Sequence, residues 1–434
     1  MKVAVVGYGV EGRASATYFA QNGHEVTICD KNPGLVVPAE LSHQLGDKYL
    51  HDLDQFDLII RSAGIHPAVI CAHNPGVMSK ITTAVNEFLA HSPTQNIIGI
   101  TGTKGKGTTS TLTARILEAH GHKVWLGGNI GRSPLEFIGE MQPEDWVVLE
   151  LSSFQLYDVR HSPHIAACLM VVPEHLDWHE DLDDYYHAKS NLFRMQKSDD
   201  VAIYYADSAT SGQIASSGDG RLIPYFADPG AKVCEHNQIE IEKTIKICHV
   251  DELKLLGKHN WQNVCAAITV AWQAGCQDPE KIKHVVVDFT GLPHRLEFVR
   301  DTGGIRYYND SFAATPDAAI ASFSAIPGKK TVILGGFDRG LPLDHLVRAL
   351  QVHTDSVRPL LIGESAKRLA KLCDDASVSY TLCGKQHMGD IVREAQETAK
   401  GGEAIVLSPG FASFDMFKNF EDRGNQFKKV VEAL

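Results

Sequence analysis

Short apolar runs rich in β-branched residues alternate with helix-like segments along nearly the whole chain, and this alternation restricts the fold more than any other feature. The clearest runs are Val3–Val6, Val26–Cys29, Leu58–Ile60, Ile97–Ile100, Val147–Leu149, Ala167–Val172, Val332–Leu334, Leu360–Ile362 and Ala404–Leu407. A strand that returns through a helix to a second strand forms a βαβ unit, and such strands pair in parallel. The sequence therefore predicts an α/β protein with mostly parallel sheets.

Two breaks in this pattern indicate domain boundaries. The chain has 434 residues, which corresponds to roughly three domains of ordinary size. The first break is His91–Thr94, just before a strand that leads into a glycine-rich turn. The second is Thr290–Pro293, after the helix-like stretch Trp261–Gly275. We expect domains over residues 1–92, 93–290 and 291–434.

Charge and cysteine content narrow the range of partners. Lys and Arg number 41 and Asp and Glu 53, so the formal charge is −12. An acidic chain without a basic tract is a poor candidate for nucleic-acid or membrane binding, and no apolar run is long enough to span a bilayer. The nine cysteines include no C-x-x-C pair, and Met1 precedes a strand-like run rather than a signal peptide. We expect a cytoplasmic protein with no nucleic-acid partner and no membrane span.

The first glycine-rich turn, Gly7–Gly12, has the spacing G-x-G-x-x-G between a strand and a helix. Such a turn lets the backbone approach a diphosphate, which then lies at the helix N-terminus. Asp30 ends the second strand, where a carboxylate often meets a ribose hydroxyl. The turn is compatible with NAD(P), with a mononucleotide diphosphate such as a UDP-sugar, or with a tight turn that binds no ligand.

The second glycine-rich turn lies within residues 97–109 and again reads strand, loop, helix. It departs from the P-loop consensus, because Gly107 follows Lys106 where a Ser or Thr is usual. Backbone amides can still cradle phosphates, Lys106 can reach the terminal phosphates, and Thr108 or Thr109 can offer a hydroxyl near Mg²⁺. We interpret it as an ATP site; the alternative is a glycine-rich turn with a solvated lysine. Two nucleotide-type turns favour two phosphorylated ligands over a dehydrogenase.

An acidic and histidine-rich region follows. Glu150 ends a buried apolar run, where a charge is costly unless it is paired or binds a metal. His175 and His179 lie four residues apart within Pro173–Glu180, but the H-E-x-x-H order of zinc proteases is absent. The region therefore indicates a Mg²⁺ site beside a phosphate loop, with a solvated polar helix start as the alternative.

Six motifs together resemble those of the Mur ligases, the ATP-dependent enzymes that add amino acids to peptidoglycan precursors. The motifs are Thr101–Lys106, Glu150–Leu156, Pro173–His179, Gly291–Glu297, Tyr308–Pro316 and Ser408–Gly424. The resemblance runs over essentially the whole chain. Within the family it is greatest to the ligases that add D-glutamate to UDP-N-acetylmuramoyl-L-alanine.

The resemblance implies a fold and a reaction. The fold would have an N-terminal Rossmann-like domain for the UDP-sugar, a central P-loop ATPase-type domain with a mixed sheet, and a C-terminal Rossmann-like domain for the amino acid. In the reaction, ATP phosphorylates the carboxylate of UDP-N-acetylmuramoyl-L-alanine. The amine of glutamate then attacks the acyl phosphate and phosphate leaves. ATP and Mg²⁺ are the implied cofactors, because crowded phosphate charges must be neutralised. A monomer is expected.

The resemblance also assigns roles to single residues. The catalytic residues would be Lys106, Glu150, His175 and Lys189, of which Lys189 would be carbamylated. The magnesium ligands would be Glu150, His175 and Lys189, with Thr108 as the hydroxyl. ATP would contact Gly102, Thr103, Lys104, Gly105, Lys106, Gly107, Thr108, Thr109, Asn263, His294, Arg295 and Asp310. The UDP-substrate would contact Gly9, Val10, Asp30, Ser62, Gly64 and Asn129. Glutamate would contact Thr315, Arg339, Ser413 and Phe420.

Several positions depart from the pattern of the family. Gly107 removes a hydroxyl, Lys104 and Met170 each replace a usual Asn, and Ala63 replaces a Pro. Arg339 stands where a Lys commonly holds the carboxylate of the amino acid; an Arg can bind it in a bidentate manner. These departures leave two alternatives open, a sister ligase that adds L-glutamate or another acidic amino acid and a weakened nucleotide-binding homologue with a regulatory role.

Overall fold

The computed structural model describes residues 1–255, 257–384 and 387–434, and the chain divides into two compact units. The first unit contains Met1–Leu253 and His259–Asp288, and the second contains Lys254–Lys258 and Phe289–Leu434. Both units have parallel sheets with helices between the strands, which confirms the α/β class expected from the sequence. The boundary near residue 92 falls inside the first unit and stays a prediction.

A five-stranded parallel sheet, in the order β3-β2-β1-β4-β5, begins the first unit. Its strands are β1 (Lys2–Val6), β2 (Glu25–Asp30), β3 (Ser42–Leu45), β4 (Leu58–Arg61) and β5 (Ile81–Thr82), and its helices are α1 (Val10–Gln21), α2 (Pro67–His73) and α3 (Ala84–His91). The chain leaves β1 toward β2 on one side, and β4 lies on the other side. Ligands of open α/β sheets bind at such a switch point, outside the carboxyl ends of the strands. Here those ends carry the turns Gly7–Gly12 and Ser62–Gly64.

A six-stranded sheet, in the order β11-β10-β9-β6-β8-β7, follows in the same unit. Its strands are β6 (Ile97–Thr101), β7 (Val124–Gly128), β8 (Trp146–Glu150), β9 (Ile165–Cys168), β10 (Val201–Tyr205) and β11 (Arg221–Tyr225), and the helices among them are α4 (Lys106–Ala119), α5 (Pro134–Phe137), α6 (Ser153–Leu156), α7 (Leu182–Ser190) and α8 (Ala209–Ala215). All its strand pairs are parallel. Because β8 and β9 flank β6, Glu150 and the segment after Cys168 border the loop that follows β6.

The antiparallel strands expected in the central sheet form a sheet of their own. Its strands are β12 (Lys232–Val233), β13 (Gln238–Ile241) and β14 (Ile245–His249), and the helices α9 (Lys258–Gln273) and α10 (Pro279–Asp288) follow it. The predicted helix Trp261–Gly275 is α9, which begins three residues earlier. The predicted strand Ala167–Val172 corresponds to β9, which begins two residues earlier and ends four residues earlier. Beyond β9, the carbonyl of Met170 accepts a hydrogen bond from the amide of Thr103 in the loop after β6.

The second unit has a six-stranded sheet in the order β15-β16-β20-β17-β18-β19, antiparallel only between β15 and β16. Its strands are β15 (Glu297–Thr302), β16 (Ile305–Asn309), β17 (Lys330–Gly335), β18 (Val357–Ile362), β19 (Thr381–Gly384) and β20 (Ala404–Leu407), and its helices are α11 (Pro316–Ala325), α12 (Asp344–Val352), α13 (Ala366–Asp375), α14 (Met388–Thr398) and α15 (Phe420–Glu432). The carboxyl ends of β16, β20 and β17 are neighbours. They carry Asp310, the loop with Ser413 and the loop with Arg339.

Short 3₁₀ helices complete the structure at Gly46–Lys48, Leu53–Gln55, Met78–Lys80, Ile138–Glu140, Glu235–Asn237 and Val250–Glu252. The central strands of each large sheet are buried on both faces, which explains their continuous apolar runs. None of the helices in the described ranges has the length and apolar content needed to cross a lipid bilayer.

Candidate active site

The second glycine-rich turn connects β6 to α4. The side chain of Lys106, the first residue of α4, folds back over the loop, and its Nζ donates to the carbonyls of Gly102 at 3.0 Å and Thr103 at 3.1 Å. Gly105 has φ +88°, and a Cβ there would collide with Oδ1 of Asn263. The loop therefore requires glycine at this position, and the structure brings Asn263 of α9 against the loop, as a shared role in nucleotide binding would need.

Lys189 lies beside Lys106 although the two are far apart in sequence. It is 1% exposed, and its Nζ donates to the same Gly102 carbonyl at 3.0 Å. Its ammonium also lies 4.6 Å from the ring centroid of Tyr185. Burial and the neighbouring Lys106 charge lower the pKa of Lys189 to about 7. A buried lysine next to a second cation loses its proton readily, which is the condition that carbamate formation requires.

Glu150 ends β8 with its carboxylate buried, as the sequence indicated. The residue is 3% exposed, and its Oε1 accepts a hydrogen bond from Nδ2 of Asn129 at 2.9 Å. Within the described ranges, Oε2 is buried and has no hydrogen-bond partner. An unpartnered carboxylate oxygen is costly to bury and is a ligand that Mg²⁺ prefers. Glu150 therefore fits a divalent cation.

Two threonines follow Lys106 in the first turn of α4. Thr108 is half-buried, and the Oγ1 of Thr109 is buried without a partner among the described residues. The same residues contain no group of three or more His, Cys, Asp or Glu that could hold a metal ion. A cation here would need ligands from substrate phosphates, which is how Mg²⁺ is commonly bound in nucleotide sites.

The two histidines of the segment Pro173–Glu180 have different surroundings. His175 has φ +61°, a side chain 44% exposed, and an Nε2 that lies 3.7 Å from Glu174. Glu174 also pairs with Lys104 at 2.6 Å, so the segment contacts the loop after β6. His179 is 3% exposed and lies between Asp184 at 2.8 Å and Ser153 at 3.0 Å. The segment is a turn and not a helix that presents two metal-binding histidines.

The residues predicted for the UDP-substrate surround the switch point of the first sheet. Asp30 accepts hydrogen bonds from the amides of Tyr8 at 2.8 Å and Asn32 at 2.9 Å. Ser62 donates from Oγ to the carbonyl of Gly7 at 3.1 Å, so the two turns touch. Val10 begins α1 with 66% of its surface exposed. The structure thus brings both turns and Asp30 together, while Asn129 lies with Glu150 at the second sheet.

In the second unit, the residues predicted for the nucleotide gather at the end of β16. Asp310 accepts hydrogen bonds from the amide of Leu296 at 2.9 Å and the hydroxyl of Ser408 at 3.0 Å. Burial raises the pKa of this carboxyl to about 6. His294 is buried against Asn309 at 2.9 Å, and burial lowers its pKa. Arg295 lies with its guanidinium carbon 3.9 Å from the ring centroid of Phe312.

The residues predicted for the amino acid occupy neighbouring loops of this unit. Thr315 caps α11 by accepting from the amide of Ala318 at 3.4 Å. The Nη2 of Arg339 donates to the carbonyl of Ala314 at 2.7 Å. Ser413 is 3% exposed, and the ring of Phe420 meets that of Phe312 edge-on at 5.2 Å. Arg339 thus contacts the residue directly before Thr315. The ring of Phe420 faces the Arg295–Phe312 pair.

Three residues that contact the candidate site were not singled out as site residues from the sequence. Arg61, Arg423 and Phe312 contact predicted site residues or their loops: Arg61 binds the carbonyl of Ala63, Arg423 binds Ser311, and Phe312 stacks on Arg295. Arg61 ends an apolar strand in the same way as Glu150 does. That signal, a charge at the end of a buried run, was available and applies equally to both residues.

This chain is similar to known proteins over its whole length. Residues 100–271 match the family described as the Mur ligase middle domain. The UDP-N-acetylmuramoylalanine–D-glutamate ligase of Acetivibrio thermocellus is 33% identical over 460 residues, covering 100% of this chain and 96% of the relative. The enzyme of the same name from Symbiobacterium thermophilum is 35% identical over 452 residues, covering 100% and 98%. The MurF ligase of Thermotoga maritima in complex with ADP has the same fold, with a TM-score of 0.57, 16% identity and coverage of 100% and 95%.

Proposed function

The chain belongs to the Mur ligase family, and from this we propose that it joins D-glutamate to UDP-N-acetylmuramoyl-L-alanine with hydrolysis of ATP, a step of peptidoglycan precursor synthesis. The observation that carries the proposal is the likeness to two ligases of this specificity over the full chain, at 33% and 35% identity. The two glycine-rich turns support it, because the reaction needs one site for a UDP-linked substrate and another for ATP.

The reaction proceeds in two steps. The carboxylate of the muramoyl-L-alanine substrate attacks the γ-phosphorus of ATP, which gives an acyl phosphate and ADP. The amine of glutamate then attacks the acyl carbon, the amide bond forms, and phosphate and a proton leave. Both steps bring anions together, so the protein must neutralise charge and align two substrates.

We assign this neutralisation to Lys106 and to a Mg²⁺ ion, for which Lys189 would be a ligand once it is carbamylated. In the free protein both ammonium groups use the Gly102 carbonyl as an acceptor. A terminal phosphate is the stronger acceptor for Lys106, and its arrival would leave Lys189 buried beside the phosphate loop. The pKa of Lys189, about 7, allows it to react with CO₂ as a neutral amine and to hold a carbamate there.

We propose that Glu150 and His175 bind Mg²⁺, with the carbamate of Lys189 and a hydroxyl from Thr108 as further ligands. The buried, unpartnered Oε2 of Glu150 supports this assignment. When bound, Mg²⁺ would supply positive charge to the transferring phosphoryl group. Glu150→Gln removes the anionic ligand with little change in shape, so the Mg²⁺ concentration for half-maximal activity should rise about 10-fold or more. Glu118→Gln, an exposed change on α4, should leave that concentration unchanged.

For the second substrate we propose that Arg339 binds a carboxylate of glutamate and that Thr315, Ser413 and Phe420 frame it. For the nucleotide we assign Asn263, His294, Arg295 and Asp310. We further propose that the enzyme acts as a monomer, and that it acts in the cytoplasm, where ATP is available. Light scattering behind a sizing column tests the oligomeric state.

The deciding experiment measures phosphate release with ATP, Mg²⁺ and UDP-N-acetylmuramoyl-L-alanine against a panel of amino acids. Release that requires D-glutamate supports the proposal. Release only with L-glutamate would identify the sister activity, for which Arg339 is the relevant departure. No release with any amino acid, although ATP binds, would favour a weakened homologue in which Gly107 has removed a needed hydroxyl.

A further inference from the structure

Arg61 is a buried cation at the end of β4, directly before the turn Ser62–Ile65. It is 1% exposed. Among the described residues, Arg61 and Arg423 have the largest side chains that are fully buried. Its Nε and Nη2 donate to the two carboxylate oxygens of Asp158, each at 2.8 Å. A buried charge is tolerated when it is paired and its remaining donors are used. The partners of the remaining donors therefore show what the arginine holds in place.

Those donors bind backbone carbonyls of the turn and of α6. The Nη1 of Arg61 lies 3.4 Å from the carbonyl of Ser62 and 3.1 Å from those of Ala63 and Ile65. Its Nη2 also donates to the carbonyl of Phe154 at 2.8 Å. One planar guanidinium thus fixes the turn against the segment Glu150–Leu156, which contains the proposed magnesium ligand. Arginine is the only amino acid whose side chain offers five N–H donors in a planar fork.

The fourth carbonyl of the turn is also bound. The indole Nε1 of Trp178 donates to the carbonyl of Gly64 at 3.2 Å. Two of the turn's four amides are also bound at short distances, that of Ser62 by the carbonyl of Val6 at 2.8 Å and that of Ile65 by the carbonyl of Ser62 at 3.0 Å. The amide of Ala63 has only a long bond of 3.4 Å to Glu11, and within the described ranges no acceptor binds the amide of Gly64. All four carbonyl oxygens of the turn therefore accept hydrogen bonds, whereas the N–H of Gly64 donates to no acceptor in the described part of the chain.

We propose that Arg61 is a positioning residue for the UDP-linked substrate. By binding the carbonyl oxygens of Ser62, Ala63 and Ile65, it keeps these partial negative charges from the diphosphate and leaves the amide of Gly64 to bind it. Arg61 itself does not touch the ligand, because its donors are already used. This inference rests on the proposed function, since it assumes that the Ser62–Gly64 turn binds the diphosphate.

A purely structural role would give the same ion pair, so the experiment needs a control variant. Arg160 provides it, because its guanidinium also joins two parts of the first unit. Its Nη1 donates to the carbonyl of Ser79 at 3.3 Å and its Nη2 to that of Ile81 at 3.1 Å. These contacts do not include any residue of the Ser62–Ile65 turn. If the effect on affinity came only from weaker contacts between segments of the first unit, both arginine variants should show it. If it comes from a changed conformation of the Ser62–Ile65 turn, only the Arg61 variant should show it.

The test uses Arg61→Lys, Arg160→Lys and the parent protein in calorimetric titrations with UDP-N-acetylmuramoyl-L-alanine and, separately, a non-hydrolysable ATP analogue. A lysine can keep the charge next to Asp158 but cannot bind four carbonyls. We expect Arg61→Lys to weaken binding of the UDP-substrate about 10-fold or more, with the ATP analogue unchanged within about 2-fold. Arg160→Lys should change neither. The KM values should show the same split.

Two results would overturn the inference: an unchanged UDP-substrate affinity in folded Arg61→Lys, or an equal loss for both ligands. If Arg61→Lys does not fold, Trp178→Phe replaces it, since this change keeps an aromatic side chain and removes the indole N–H that donates to the Gly64 carbonyl. It should weaken the UDP-substrate about 3-fold and spare the ATP analogue, and equal affinities would contradict the inference. Failure of the parent protein to bind the UDP-substrate would instead refute the proposed function.

Discussion

At the scale of single residues, Lys189 is buried, which contradicts the alternative of a solvated surface lysine and favours a functional role. Lys189→Ala should lose about 100-fold or more in kcat, because an anionic ligand at the phosphate loop disappears. Formate or acetate should restore part of the activity by filling the same space. Lys197→Ala, an exposed lysine further along the chain, is the control and should behave like the parent. Full activity of Lys189→Ala would contradict the assignment.

The same residue gives a pH dependence whose sign follows from its pKa. With a pKa of about 7, the amine is mostly neutral at pH 8 and mostly protonated at pH 6. Only the neutral amine reacts with CO₂, so the carbamate and the activity it supports should decline together as the pH falls through 7. ¹³C NMR after labelling with ¹³C-bicarbonate measures the carbamate directly. Its absence at pH 8 with nucleotide and Mg²⁺ bound would exclude this chemistry.

Asp310 gives a second titration, in a more acidic range. Its pKa is raised to about 6, so it becomes protonated at a pH where an ordinary Asp is still charged. If its carboxylate accepts hydrogen bonds from the ribose, the KM for ATP should increase roughly 5-fold between pH 6 and pH 5. In Asp310→Asn the KM should be high and should lack this increase, which separates the protein's titration from that of ATP. Equal pH profiles for both proteins would show that Asp310 does not contact the nucleotide.

Several single residues were predictable because a charge at the end of an apolar run must have a partner. That argument located Glu150 correctly as a buried carboxylate. The partners themselves were not predictable, since Arg61 and Asp158 lie 97 residues apart and meet only through the fold. The predicted role of Thr315 as a ligand of glutamate stays a prediction, and the structure adds that its hydroxyl caps α11.

At the scale of elements, two glycines allow the effect of backbone strain on stability to be separated from an effect on ATP binding by the loop between β6 and α4. Gly105 and Gly121 have nearly equal φ angles, +88° and +92°, but only Gly105 faces a neighbour, Asn263. Gly121→Ala should cost about 1–2 kcal/mol in free energy of unfolding, and Gly105→Ala should cost more because its Cβ also collides with Asn263. Only Gly105→Ala should also raise the KM for ATP, by about 10-fold. Urea unfolding and ATP kinetics measure the two effects, and equal KM changes would show that the loop does not bind ATP.

Elements with a strong periodic signal were the predictable ones. The apolar runs of the large sheets became strands because both of their faces are buried. The strands β12 and β13 were not predicted, because they are short and mix charged with apolar residues, as in Lys232–Val233 and Gln238–Ile241. The end of β9 was not predictable either, since the carbonyl of Met170 is bound by the amide of Thr103 in the loop after β6, a contact that exists only in the folded chain.

At the scale of the whole molecule, the hydrophobic cores follow the division into two units. In the described part of the chain, one cluster extends from Val3 to Ala215 and another from Ala4 to Ile81, both inside the first unit. Two further clusters lie within the residues from Tyr307 to Val431 of the second unit. A unit with its own core can unfold by itself, so calorimetry of the full chain should show two transitions.

The two unfolding transitions should respond differently to the UDP-substrate, because its proposed site lies in one unit. Every residue proposed for the UDP-substrate belongs to the first unit, whereas those for glutamate belong to the second. A ligand at 100 times its Kd stabilises the state that binds it by about 2.7 kcal/mol. UDP-N-acetylmuramoyl-L-alanine alone should therefore raise the transition of the first unit and leave the other in place, with hydrogen exchange to assign each transition. A single transition, or an equal shift of both, would mean that the two units unfold together and that the substrate stabilises the chain as one body.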